Sequence, residues 1–348
     1  MLDRSSEPAG GAPATNDARQ WLTVLARYRE PNVGRGLFEL AVTVAAFAAL
    51  WAIMWWSLSV SYFLSLLIAI PAAAFMVRLF VIQHDCGHGA FFRQKSLNDT
   101  LGRALGVITM TPYDVWKRAH AIHHATSGNL DRRGVGDITT LTVREYEALP
   151  FRSRMAYRFY RHPLVLFGIG PAYMFLLQHR LPVGFMRNGV TPWVSAMATN
   201  LLILAIAAGM MWLVGIWQFL MIQLPIIALG ASLGVWLFYV QHPFEDTVWE
   251  SGSDWNLSHA ALYGSSFYDL PAALHWLTAF IGFHHIHHMC SRIPFYRLKQ
   301  VIRDNPELAG TRRITLVDSL GCVRLTLWDE ARQKLVTFRD ARASARRG

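Results

Sequence analysis

Four stretches of the sequence are apolar and long enough to cross a lipid bilayer, and they limit the possible folds more than any other feature. They cover approximately residues 37–58, 60–82, 194–217 and 219–240. A helix needs about 20 apolar residues to cross a hydrocarbon core about 30 Å thick. Almost nothing separates the first stretch from the second, or the third from the fourth. The sequence therefore predicts an all-α integral membrane protein built from two transmembrane helical hairpins.

The distribution of positive charge predicts the orientation in the membrane. The chain has a formal net charge of +10, and of its 33 lysine and arginine residues only Arg78 lies within a predicted span. The two hairpin connections carry none, whereas the segment 83–193 and both terminal segments are basic. Because cytoplasmic segments are enriched in lysine and arginine, we expect 83–193 and both termini to be cytoplasmic. This topology accounts for the charge without nucleic acid as a partner.

Histidines cluster just beyond the ends of these apolar stretches. The second stretch is followed by QHDCGH, and two later clusters read HAIHH and FHHIHHM. Their spacing, i, i+4 or i, i+3, i+4, places the rings on one face of a helix. One further histidine directly follows the fourth stretch. The nine clustered histidines are His84, His88, His120, His123, His124, His242, His284, His287 and His288.

These clusters predict a metal site. Neutral imidazole is a common metal ligand, and all the clusters lie on the predicted cytoplasmic side. Eight or nine nitrogens suit two metal ions with four or five ligands each, but imidazole suits iron, copper, nickel and zinc, so the ligand type leaves the metal open. Cys86 and Cys290 lie in or next to the clusters, and packing is the simpler interpretation of both. His162, His179, His259 and His275 are isolated and predict no site.

The histidine clusters, with three longer segments, resemble those of a known enzyme family. Segments 123–146, 238–250 and 264–298 resemble the integral-membrane fatty-acid desaturases, above all the acyl-lipid desaturases of omega-6, or delta-12, type. The likeness covers most of 21–305, which is the expected desaturase domain. Residues 1–20 are expected to form a disordered cytoplasmic tail without a signal peptide. Residues 306–348 are expected to form a cytoplasmic C-terminal segment.

The resemblance implies a non-haem di-iron centre that uses O2 and two electrons to remove two hydrogens from an acyl chain. It implies that the histidines of the three clusters hold the iron ions and that His242 is an additional ligand. Two positions depart from the family pattern. His285 is an extra histidine in the last cluster, which leaves the choice between His284 and His285 open, and Phe280 stands where relatives often carry a polar residue.

Three carboxylates are candidates to orient ligand rings by accepting the second ring N–H, namely Asp85, Asp131 and Asp137. The alternative interpretation of each is a solvated loop carboxylate. Metal–O2 chemistry is consistent with the proposed reaction, because an unactivated methylene has no acidic proton for a general base to remove.

The resemblance also indicates partners and leaves alternatives. The expected substrate is a long acyl chain on a membrane lipid, with a cis double bond introduced at the delta-12 position, in the inner or plasma membrane. The sequence has no cysteine set for an iron–sulfur cluster and no glycine-rich dinucleotide loop, so a separate ferredoxin or small cytochrome with its reductase is expected to supply electrons. A hydroxylase or ketolase on the same scaffold is the alternative enzyme. A non-catalytic metal-binding or metal-transporting protein is the alternative class, disfavoured because the spans contain almost no ionisable residues.

Overall fold

A computed structural model describes residues 15–345 of the chain. The structure is dominated by helices, with two small sheets at their polar end. The α-helices are α1 Thr15–Leu25, α2 Val33–Ser57, α3 Tyr62–Gly87, α4 Lys95–Ile108, α5 Tyr113–Thr126, α6 Val143–Ala148, α7 Phe151–Tyr160, α8 Gly170–Leu176, α9 Thr191–Val214, α10 Ile216–Gln241, α11 Leu257–Tyr263, α12 Ala272–Leu277, α13 His284–Met289, α14 Phe295–Asp304, α15 Leu316–Cys322 and α16 Phe338–Ala345. The strands are β1 Leu141–Thr142, β2 Phe267–Asp269, β3 Arg313–Thr315, β4 Leu327–Asp329 and β5 Lys334–Val336.

Four of the helices, α2, α3, α9 and α10, are long and apolar enough to cross a membrane. They contain 24 to 26 residues each, which corresponds to about 36–39 Å of helix. A single residue, Gly215, connects α9 to α10 with a φ of 95°, a conformation that glycine adopts without strain. The four spans and the two hairpins predicted from the sequence are thus confirmed as helices.

Each spanning helix extends beyond its predicted apolar stretch at one end or both, as α3 and α9 illustrate. The second apolar stretch ends near residue 82, but α3 continues to Gly87 and so carries His84 on its last turns. The helix continues because Gln83, Asp85 and Cys86 are buried against other parts of the protein, where tertiary packing replaces lipid. The third span begins at Thr191, a few residues before the apolar stretch, with Pro192 in its first turn.

The spanning helices pack through apolar side chains of different sizes. Ala69, Ala72 and Met76 of α3 form a cluster with Met54 of α2 and Ile222 of α10. By contrast, α9 presents large apolar side chains outward, and Trp212 is 88% exposed. Since no water-soluble protein exposes such a surface over a whole helix, this face is suited to lipid.

Two small sheets, which the sequence pattern does not predict, lie among the short helices. In the first, β1 pairs in parallel with β4, which pairs antiparallel with β5. In the second, β2 pairs in parallel with β3. Strands of two or three residues are too short to show an alternating pattern in the sequence. Through these sheets, residues 313–336 of the C-terminal segment are joined to 141–142 and 267–269.

The N-terminal region differs from its prediction in part. Helix α1 begins at Thr15, so 15–20 are helical where the sequence predicts disorder. Leu25, at the end of α1, is completely buried, and its packing into the main apolar core ties this helix to the domain. Residues 1–14 lie outside the described part of the chain.

Replacement of Gly102 by alanine should destabilise the fold. Gly102 of α4 packs directly against the ring of Tyr113, a fully buried residue that begins α5. An added methyl group has no room there, and overpacking of this kind costs about 1–3 kcal/mol. We expect Gly102→Ala to lower the midpoint of thermal unfolding in detergent. Gly209→Ala in α9 is the matched control, because nothing lies within 4 Å of its added Cβ. Equal midpoints for the two variants would contradict the packing described here.

Candidate metal centre

The nine clustered histidines come together at the polar end of the spanning helices, in two groups. The first contains five histidines, contributed by the end of α3, by α5 and by α13. Within this group the nearest ring atoms all lie within 4.8 Å of one another. Its members are His84, His88, His120, His124 and His287.

The second group contains four histidines, contributed by α5, by the residue after α10 and by α13. Its ring atoms satisfy the same 4.8 Å limit. Its members are His123, His242, His284 and His288. Neither group includes a cysteine from the part of the chain that the structure describes, and Cys86 and Cys290 are buried as free thiols.

Helix geometry divides each HxxHH cluster between the two groups. In α5 the i, i+4 pair His120 and His124 faces the first group, and His123 faces the second. In α13 the arrangement is reversed, since the pair His284 and His288 faces the second group and His287 the first. Residues i+3 and i+4 differ by about 100° around a helix, so each helix can lie between two centres and contribute to both. The spacing alone does not reveal this division.

The positions of the ring nitrogens fit metal ions. His123 Nε2 lies 3.2 Å from His242 Nε2, and His284 Nε2 lies 3.1 Å from both His242 Nε2 and His288 Nε2. In the first group, His124 Nε2 lies 3.1 Å from the Nε2 atoms of His120 and His287. Two nitrogens bound at right angles to one ion, each about 2.1 Å from it, are about 3.0 Å apart. The observed separations match that arrangement.

Burial makes these rings good ligands. The pKa values of His88, His120, His124, His242, His284, His287 and His288 are all lowered well below the usual value, first by burial and then by neighbouring histidines. The rings are therefore neutral near pH 7 and can bind a cation without first losing a proton. The buried Nε2 of His88 has no hydrogen-bond partner among the described residues, so its lone pair is available to a cation.

The three candidate carboxylates differ in what they contact. Asp137 Oδ1 lies 2.5 Å from His123 Nδ1, so it holds this ring with Nε2 toward the second group. Asp131 instead accepts a hydrogen bond from the backbone N–H of Gly252 at 2.7 Å. Asp85 lies 3.6 Å from His84 Nδ1, too far for a hydrogen bond, and accepts one from the backbone N–H of Phe295 at 2.7 Å. Only Asp137 makes the contact expected from the sequence.

The structure also separates His284 from His285. His285 is completely buried, but it points away from both groups, and its Nε2 lies 3.1 Å from the carbonyl oxygen of Leu308. The isolated histidines at 162, 179, 259 and 275 are not members of either group.

Two aromatic side chains beside the histidines were not singled out from the sequence. Trp116 stacks on His120 with ring centres 4.7 Å apart, and Phe238 packs against His123 and His242 at 5.1 and 5.0 Å. Each aromatic residue precedes a histidine by four positions in or at the end of a helix. That spacing was visible in the sequence, but the same spacing is common in helices without a site.

A cavity adjoins the second group. Its walls include His123, His242 and Asp137, together with the aromatic side chains of Phe238 and Trp249. A small molecule or a substrate chain can therefore reach the second group of histidines through this cavity, whereas protein surrounds the rings on their other sides.

Four spanning helices with two groups of histidines at their polar end place this chain in the class of membrane proteins that can bind metal ions. Comparison with known proteins identifies the family within this class. A model of the fatty acid desaturase family matches residues 61–318. The chain therefore belongs to the fatty acid desaturase family and is an oxidoreductase, which sets aside the non-catalytic alternative.

Individual relatives agree with this assignment. The chain is 43% identical over 323 residues to a fatty acid desaturase of Bacillus subtilis, which covers 92% of this chain and 91% of the relative. It is 30% identical over 285 residues to the sn-1 acyl-lipid omega-3 desaturase (ferredoxin) of Synechocystis sp., covering 78% and 75%. It is 26% identical over 230 residues to the sn-1 oleoyl-lipid 12-desaturase of the same organism, covering 63% and 62%.

The stability of the metal-free protein should fall as the pH drops below about 6.5. Burial lowers the pKa values of seven of the clustered histidines well below the usual value, whereas in the unfolded chain the same rings take up protons near pH 6.5. The unfolded state then binds more protons, so stability is complete above about pH 6.5 and is lost on acidification. Each histidine contributes at most about 1.4 kcal/mol per pH unit.

Thermal unfolding of chelator-treated protein between pH 5.5 and 7.5 measures this effect, in a range where few ordinary carboxylates titrate. A midpoint independent of pH over that range would contradict burial of neutral histidines.

Proposed function

We propose that the protein is an O2-dependent di-iron desaturase that introduces a cis double bond into a long acyl chain of a membrane lipid. The observation that carries this proposal is the convergence of nine histidines in two groups at the end of four spanning helices. In the proposal, the first group holds one iron ion and the second group holds the other. His284, and not His285, is the ligand from the start of the last cluster.

Each part of the site has a role in this reaction. Two iron ions bound there would supply, with O2 and two electrons, an oxidant able to remove hydrogen from an unactivated methylene. The histidines bind the ions as neutral ligands, and Asp137 fixes the orientation of His123. Phe238 and Trp249 provide an apolar wall beside the second group, which would exclude water and hold a hydrocarbon chain.

The cavity supports a substrate of this kind. It lies next to His123 and His242, so a chain placed in it would bring its methylenes close to one metal ion. The position of the double bond depends on which carbons are held there. The sequence resemblance and the 12-desaturase relative favour carbon 12, and the omega-3 relative is the nearest competing regiochemistry.

The electrons would come from a separate protein. The name of the Synechocystis omega-3 relative includes ferredoxin, which fits a ferredoxin or a small cytochrome with its reductase as the donor. The net charge of +10 would favour docking of an acidic donor on the basic cytoplasmic face.

Replacement of the proposed ligands should remove both metal and activity. We expect alanine at any of the nine positions to lower bound iron and to reduce desaturation at least about a hundredfold, the range seen when a metal-site residue is disturbed. His285→Ala is the matched control, because its ring is buried on the same short helix but faces Leu308. Iron analysis of purified variants and lipid analysis of expressing cells provide the two readouts. An inactive, iron-poor His285→Ala beside an active His284→Ala would reverse the assignment.

The product should be a new double bond. In a host rich in C16 and C18 chains, mass spectrometry is expected to find a diene whose second bond lies at carbon 12. A double bond elsewhere would reject that regiochemistry alone, whereas a hydroxylated or ketonic lipid would move the protein to the alternative enzyme class. With purified protein, NAD(P)H alone should give no product until a donor and its reductase are added.

The proposed orientation places the histidines and both ends of the chain in the cytoplasm. This orientation is supported by the positive charge on one side of the spans, the side where α3 and α10 end and where α2 and α9 begin. Reporter domains fused to either end should be active only as cytoplasmic reporters. A reporter that becomes active on the opposite side of the membrane would overturn this orientation.

A further inference from the structure

Helix α3 contacts the chain on both sides of the last histidine cluster. Two of its side chains make these contacts, Arg78 and Asp85, and we refer to them together as the α3 anchors. They are seven residues apart, which is about two turns, so they lie on one side of the helix. Arg78 reaches the backbone of Trp276, before the cluster, and Asp85 reaches the backbone of Phe295, after it.

Arg78 is completely buried, and its donors are used by partners from two helices, α2 and α12. Nη1 donates to the carbonyl oxygen of Trp276, Nη2 to Glu39 of α2, and Nε to Thr43 Oγ1 at 3.1 Å. The guanidinium carbon also lies 4.4 Å from the ring centre of Trp276. A buried charge is tolerated only when its hydrogen bonds are satisfied, so the carbonyl of Trp276 is bound firmly to this site.

Asp85 holds the other side of the cluster. Its Oδ2 accepts a hydrogen bond from the N–H of Phe295, the first residue of α14, at 2.7 Å. The first N–H groups of a helix have no partner within it, so the carboxylate supplies one that is otherwise missing. The ring of Phe295 also lies 5.3 Å from the guanidinium carbon of Arg78. Both anchors therefore contact Phe295.

The segment between these contacts has little regular structure to determine its path. Helices α12 and α13 have six residues each. Between them, Ala279 and Phe280 have φ values of 50° and 55°, in the left-handed region that costs non-glycine residues free energy. Gly282 has no room for a side chain, because a Cβ would lie 2.6 Å from the carbonyl oxygen of Tyr268. Such a segment holds its shape only where other elements restrain it.

We propose that Arg78 and Asp85 are positioning residues that hold the segment 276–295 on α3 and thereby set the last histidine cluster against His84 and His88. The inference rests on the proposed function, since it assigns the anchors a purpose in forming the metal centre. This positioning role gives a reason for the buried Arg78 in a chain whose spans carry almost no charge. Asp85 acts on the last cluster through Phe295 and not, as the sequence suggests, on the neighbouring His84.

Paired variants separate the positioning role from general stability. Arg78→Met removes the contact with Trp276 and leaves Glu39 with its second partner, Arg35, whose Nη2 lies 2.5 Å from Glu39 Oε1. Its matched control is Arg35→Met, which removes the other ion pair of the same carboxylate. Asp85→Leu removes the acceptor for Phe295, whereas Asp85→Asn keeps an acceptor oxygen and loses only the charge.

The first measurement is hydrogen–deuterium exchange of the metal-free proteins. In Arg78→Met and Asp85→Leu we expect peptides from 277–294 to exchange about tenfold faster or more, the effect of losing one buried hydrogen bond on local opening. Arg35→Met and Asp85→Asn should match the wild type. If Arg78→Met does not purify as a folded protein, Arg78→Lys replaces it, because a lysine lacks the fork that bonds Glu39 and Trp276 together. The proposal would be overturned if the exchange rate of these peptides changed neither in the Arg78 variant nor in Asp85→Leu.

The second measurement is iron content with steady-state kinetics. We expect the two anchor variants to bind at most about half the iron of the wild type and to lose kcat about tenfold or more, with KM for the lipid little changed. Asp85→Asn should restore both values, because it keeps an acceptor for the N–H of Phe295, and failure of this rescue would overturn the role assigned to that hydrogen bond. A wild type without iron or desaturase activity would refute the proposed function, yet the exchange experiment on metal-free protein would still decide whether the anchors hold the segment.

Discussion

The structure depends on the requirement that every backbone polar group inside a bilayer be satisfied within its own helix. This requirement produces four long, apolar helices and disfavours ionisable ligands in the membrane interior. The metal chemistry must therefore lie beyond the helix ends. Helix α3 meets this condition by continuing past its apolar stretch to Gly87, so that the end of a rigid span carries His84. Helix α10 does the same for His242, which follows its last residue.

Assembly of the site then requires that distant segments of the chain be held at the ends of α3 and α10. Helix α5 is held close to α3 by Tyr113, whose hydroxyl donates to the carbonyl of Cys86 at 3.0 Å and lies 3.0 Å from Asp99. The segment that carries the last cluster is held by the α3 anchors and by Gln241, which donates a hydrogen bond to the carbonyl oxygen of Ile281 at 3.1 Å. These contacts join residues that are up to about 200 positions apart. The histidine groups are thus the product of long-range hydrogen bonds to backbone atoms as well as of apolar packing.

Burial of so many imidazoles has a cost that the fold must offset. Neutral rings in a buried site lose their hydration. A cation bound between ring nitrogens that lie 3.1 Å apart would offset this cost, because its binding free energy would add to the stability of the folded state. The side chains of Phe238 and Trp249 give the cavity beside the second group an apolar wall, which suits a hydrocarbon substrate.

The sequence by itself determined the membrane class, the number of spans and the identity of the nine histidines, because apolar length and helical spacing are local properties of the chain. Asp137 was one of three carboxylates that the sequence offered as partners for these rings, beside the alternative of a solvated loop residue. The tertiary structure alone decided how the histidines divide into groups of five and four and that His284, not His285, faces them. It also decided that Asp85 binds Phe295 and that α1 begins at Thr15. These features depend on the directions of side chains from segments far apart in the chain, and local periodicity carries no information about such directions.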